Sequence, residues 1–191
     1  MPTERNDEEE AYFKALEIEQ RRKLREKLET AAKDLADKQA IADSVKTEDL
    51  SVAERIKALG FSGESSKVFD LLPLVHVAWA DGSIQKGERA AILRVLEARG
   101  VAPGSEGFTL MESLLEERPS DEYMQQSLAV LRELVGNDGR SAEIVDLCQT
   151  VASAAGGFLG LGAKVDDKER ALIEEIAQQL RGGSDELRKS F

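Results

Sequence analysis

From residue 7 to residue 42 the chain contains neither glycine nor proline and is crowded with Glu, Lys, Arg and Ala. These are strong helix formers and nothing in the run interrupts them, so it predicts one long helix. Its apolar residues are thin. Leu24, Leu28, Ala31 and Leu35 follow a 4-3-4 spacing, but the pattern breaks at Arg21 and Lys38. Fewer than two clean heptads leave both a solvated helical arm and a dimerising coiled coil open. The basic cluster between Arg21 and Lys27 lies among Glu17, Glu19, Glu26 and Glu29, so local ion pairing accounts for it without a nucleic-acid partner.

After a polar joint near residues 44–49 the pattern changes to short helices punctuated by stops. Apolar periodicity predicts helices over 52–59, 66–80, 86–99, 106–117, 121–135, 142–155 and 167–180. Gly60, Gly100 with Pro103, Pro119 with Ser120, and the Gly136–Gly139 run separate several of them. Pro73 implies that the second of these helices kinks there or begins there, with Asp70 as cap. The expected fold is all-α: a compact multi-helix bundle, residues 51–183, preceded by a charged helical arm, residues 1–50, and followed by a short tail, residues 184–191.

Two segments of the bundle resemble each other. "GERAAI" from Gly87 and "KERALI" from Lys168 share Glu-Arg-Ala, and each has an apolar residue four before its glutamate, Ile84 and Val165. A helix-loop-helix unit repeated in degenerate form is the expectation, with neither half able to bury its apolar face alone.

The first of these loops reads "WADGSIQKGE". Aligned as a calcium loop with Gly82 at the turn, it places Asp81, Ile84 and Glu88 at three expected positions. Val77 and Trp79 then fall where two principal oxygen ligands are needed, which argues against a high-affinity EF-hand. Glu88 also lies in the first turn of a helix, where a carboxylate opposes the macrodipole by about 0.3–1 kcal/mol. In the second copy, Asp166 and Glu169 have the spacing of a capping box. Asp81, kept where the second copy has no acid, favours a cation or a basic partner at the first turn.

The stretches "VHVAWADGSIQKGERAAILRVLEARG" and "VASAAGGFLGLGAKVDDKERALIEEIAQQL" resemble the TerB-like family of tellurite-resistance and stress-associated proteins. The resemblance implies an all-helical, non-enzymatic, cytoplasmic domain linked to membrane-associated stress complexes. It also implies an acidic patch for a divalent cation such as calcium, which falls here on Asp81, Glu88 and Glu169. The longer glycine-rich second loop departs from the family pattern and puts a symmetric pair of metal sites in doubt.

Other chemistry finds few members. The net charge of −11 repels nucleic acid and anionic lipid. His76, the one histidine, lies in an apolar run and reads as a packed side chain; Cys148, the one cysteine, reads as a buried thiol. No nucleophile and base can be named together, so no enzyme activity is expected. Phe158, Leu159 and Leu161 in the glycine-rich loop either fold back on the bundle or form an exposed interaction site. The acidic N-terminus and the lack of a long apolar run lead to the expectation of a soluble cytoplasmic protein. Its partners would be another protein through the acidic turn, or a second copy through the arm.

Overall fold

Helix α1 (Thr3–Val45) takes up the glycine-free run and, at about 1.5 Å per residue, extends roughly 65 Å. The computed structural model describes residues 3–135, 140–154, 165 and 167–188. Much of α1 is solvated: Arg22 pairs with Glu19 at 2.8 Å, Lys23 with Glu19 at 3.5 Å, and Arg21 with Glu17 at 3.8 Å. Three cations of the basic cluster, Arg21, Arg22 and Lys23, are thus paired locally. Only the last turns enter the core, where Ile41, Ala42 and Val45 are buried.

Helix α2 (Leu50–Ala58) begins at Asp49, whose carboxylate accepts the Ser51 N–H at 2.8 Å. It packs against the end of α1 and is tied there by ions. Lys57 bridges Asp34 and Asp37, each at 2.9 Å, and Lys38 joins Asp34 to Glu54. A 3-10 helix (Ser65–Leu71) follows and leads directly into α3 (Leu72–Ala78). Pro73 stands in the first turn of α3, where its missing N–H costs nothing. Asp70 does not cap that helix. It accepts instead from Arg99 at 2.6 Å, because the 3-10 helix runs straight into α3 and leaves no extended capping residue.

All seven residues of α3 are buried, so it is the axis of the bundle. Around it stand α4 (Lys86–Ala98), α6 (Asp121–Val135), α7 (Arg140–Ala154) and α8 (Asp167–Arg188), while α5 (Glu106–Glu116) packs on the 3-10 helix. Phe69, Leu74, Ile92, Leu96, Met111, Leu131 and Ile176 fill the interior. Phe61 and Phe69 meet edge to face at 5.1 Å. The all-α expectation holds, and no strand occurs among the described residues. None of the described helices is long and apolar enough to cross a membrane.

Candidate functional site

The turn between α3 and α4 is built by its own residues. The Gly82 N–H donates to the Trp79 carbonyl at 3.0 Å, and Gly82 has a φ of 97°, a left-handed conformation that favours glycine. Asp81 Oδ1 accepts from the Ser83 N–H at 2.9 Å, which closes the turn from the other side. The indole Nε1 of Trp79 donates to the Leu114 carbonyl at 2.9 Å and fixes the turn to α5. Ile84 packs against the core, as its place in the motif implied.

Glu88 follows one turn into α4. Its Oε2 accepts the Gln85 N–H at 2.7 Å, so the capping role available to a first-turn carboxylate is filled. Capping does not explain its burial, for Glu88 is only 1% exposed and its Oε1 has no hydrogen-bond donor. Glu169, in the first turn of α8, is 2% exposed. The tertiary fold sets these two carboxyls beside each other. A bond between them requires that one hold a proton; with both ionised they only repel. Burial pushes the Glu88 carboxyl up to about 7, and Glu169 and Asp81 add to the rise, although the Gln85 N–H opposes it.

Asp81 is exposed on the turn and contributes to the field at Glu88. The three acids do not converge on one point, and among the described residues no three His, Cys, Asp or Glu side chains are grouped to hold an ion. The donors that do meet are the two glutamates. Were an ion bound there, Glu88 and Glu169 would supply hard oxygen ligands and water or carbonyls would have to complete the set. Asp166, Phe158, Leu159 and Leu161 lie outside the described residues.

His76 is buried on α3, where desolvation lowers its pKa to about 4, the Asp121 charge opposing, and its Nε2 has no partner. Burial likewise pushes the Cys148 thiol up to about 12. Both are packed groups, as the apolar runs around them implied. The capping pattern alone made Glu169 a cap partner, whereas the family resemblance had grouped it with Asp81 and Glu88. The signal was present in the shared Glu-Arg-Ala runs, which put one glutamate in the same turn of each helix.

The described residues form an all-helical bundle with a buried carboxyl pair at the starts of two helices. The family model for the tellurite resistance protein TerB matches residues 71–189, and the chain belongs to that family. Comparison with curated proteins and with solved structures finds no match.

Proposed function

We propose that this TerB-family domain acts without catalysis in stress response or signalling, through the acidic site at the start of α4. The site binds a divalent cation weakly or presents carboxylates to a basic protein partner. The observation that carries the reading is the buried Glu88 carboxyl, set against Glu169 with one oxygen lacking a donor. Such a pair is relieved by positive charge, either a proton or a metal ion. Oxygen donors favour calcium, magnesium or manganese over zinc. A cation must displace the proton, so its affinity rises as pH passes 7.

Melting the full chain at pH 6 and pH 8 with each of these four ions tests the metal version. A stabilising shift that is larger at pH 8 and lost in Glu88→Gln is expected. No shift for any ion at either pH removes the metal and leaves the basic partner. Capture of basic peptides that survives neutralisation of Asp81 and Glu88 removes the partner as well.

A second reading, an interaction adaptor that uses α1, is favoured by the register of that helix. The apolar spacing of Leu24, Leu28, Ala31 and Leu35 is broken at Lys38 but resumes in register at Ala42 and Val45, both buried in the bundle. Leu24, Leu28 and Leu35 are more than half exposed along the same seam. Light scattering on the full chain and on Leu24→Glu with Leu28→Glu decides it. A dimer mass that falls to the monomer supports the adaptor, and a monomer for both removes it.

A further inference from the structure

Exposed apolar side chains are concentrated on α1. Of the eight large ones that stand in solvent among the described residues, seven belong to that helix. From residue 9 to residue 33 every residue but Glu19 is exposed. The helix first bonds the bundle at Asp34, which Lys57 of α2 holds at 2.9 Å, so residues 3–33 are a free arm about 45 Å long. The family match begins at residue 71 and does not account for this arm.

The exposed residues form a stripe. Phe13, Leu24 and Leu35 recur at eleven-residue steps, about three helical turns, and Leu16, Gln20 and Leu28 fall between them on the same face. At its far end the stripe runs into Ala42 and Val45, which the bundle covers, so the free part continues a face that is already a packing interface. The charges beside the stripe identify what covers it. Glu9 and Lys27, about five turns apart, share one flank, and Glu10 and Arg25 lie on the other. None of these four forms an ion pair with a described residue. In an antiparallel pair of identical helices the twofold axis keeps each flank on its own side, so residues of one flank meet their own kind of flank on the partner.

We propose that the occupant is a second copy of this chain, bound through α1 in antiparallel orientation with residue 18 at the twofold axis. The proposal rests on the adaptor reading of α1 and adds to it the partner, the direction and the register. Full overlap of two free arms, residues 3–33, has its midpoint at residue 18. The side chains agree with that register. Glu9 stands level with Lys27 of the partner subunit, Glu10 one residue from level with Arg25 of the partner subunit, and Phe13 one residue from level with Leu24 of the partner subunit. A parallel pair would set like charges side by side and bring both bundles to the same end of the seam, where each already covers Ala42 and Val45. The antiparallel pair holds one bundle, with its acidic site, at each end of a rod about 45 Å long.

Light scattering on the full chain, combined with double electron-electron resonance on Lys33→Cys carrying a nitroxide, tests the proposal. Lys33 is exposed on the side of α1 away from the stripe, and the native Cys148 is buried. A dimer mass is expected, with the two nitroxides at least about 45 Å apart. A parallel pair would set them level, within about 30 Å. Glu9→Lys with Glu10→Lys should weaken the dimer about tenfold or more, and adding Arg25→Glu with Lys27→Glu should restore it. A dimer with the short distance, or a dissociation constant that the first charge variant leaves unchanged, overturns the antiparallel register and leaves the adaptor reading standing. A monomer at every concentration overturns both.

Discussion

Carboxylates serve opposite ends in two parts of this molecule. Along α1 and its junction with α2, acids meet cations in the open: Glu19 accepts from Arg22 and sits near Lys23, and Lys57 spans Asp34 and Asp37. Side-chain bonds from Arg22 hold the Glu19 carboxyl below its ordinary range, and bonds from Lys38 and Lys57 do the same for Asp34. At the start of α4, Glu88 meets another acid, out of water, and its carboxyl rises. Residue type therefore says little by itself. Burial and the sign of the nearest charge decide whether a carboxylate is settled or left wanting a cation.

The comparison is broken most severely by removing what holds α4 in place. Ile92, fully buried one turn beyond Glu88, should cost about 3 kcal/mol as Ile92→Ala, read as a fall in the urea midpoint. The same variant should bring the Glu88 titration, followed by carboxyl NMR, back toward ordinary carboxylate values as water reaches the pair. If stability drops but the titration stays high, burial is not its cause.

Titration sharpens the contrast next. Folding keeps Glu88 protonated up to about 7, whereas in the unfolded chain it ionises near 4.5. Between those values the native state holds the extra proton, so this contribution is full below 4.5 and is lost as pH rises through 7. The loss should be on the order of 3 kcal/mol and should vanish in Glu88→Gln. His76 works in the other direction. It stays neutral in the fold down to about 4 but protonates near 6.5 when unfolded, so its contribution is present above 6.5 and is lost on acidification. Urea unfolding of the two single variants, Glu88→Gln and His76→Gln, across pH 4 to 8 separates the limbs. An unchanged falling limb in Glu88→Gln would assign it to another group.

Smaller effects follow at the turn and the arm. Gly82→Ala has room for its methyl group but not the backbone conformation, so it should cost about 1 kcal/mol with the acid pair left in place. An equal melting temperature would show that the turn relaxes freely. On α1, Arg22→Ala removes an exposed pair and should leave the urea midpoint essentially unchanged. A lower midpoint would mean that the arm is not simply solvated.

Much of the fold was legible because local rules and packing agreed. The glycine-free run became α1, and the stops at Gly60 and Gly100 each follow the end of a helix. The start of α3 at Pro73 was also readable, but the role of Asp70 was not. Its partner Arg99 comes from the far end of α4, and no spacing in the chain announces a bond across that distance. The candidate site divides in the same way. The turn through Asp81 and Gly82, the tuck of Ile84 and the first-turn place of Glu88 follow from short-range geometry. That Glu169 would be buried against Glu88 depends on how α8 docks; the capping pattern pointed to a more ordinary use, and only the family resemblance had grouped the two acids.

Arg99, Asp70 and Glu143 are likewise scattered through a chain of net charge −11 and belong to no motif, yet the fold joins them. What the amino-acid sequence determined alone was the helical class, the places where helices start and stop, the family pattern and the excess of acid. Helix propensity, capping and turn chemistry act over a few residues and can be read along the chain. Which charges would face each other was decided by tertiary packing. Burial and the local field exist only once distant helix ends have been brought together and water has been driven from between them.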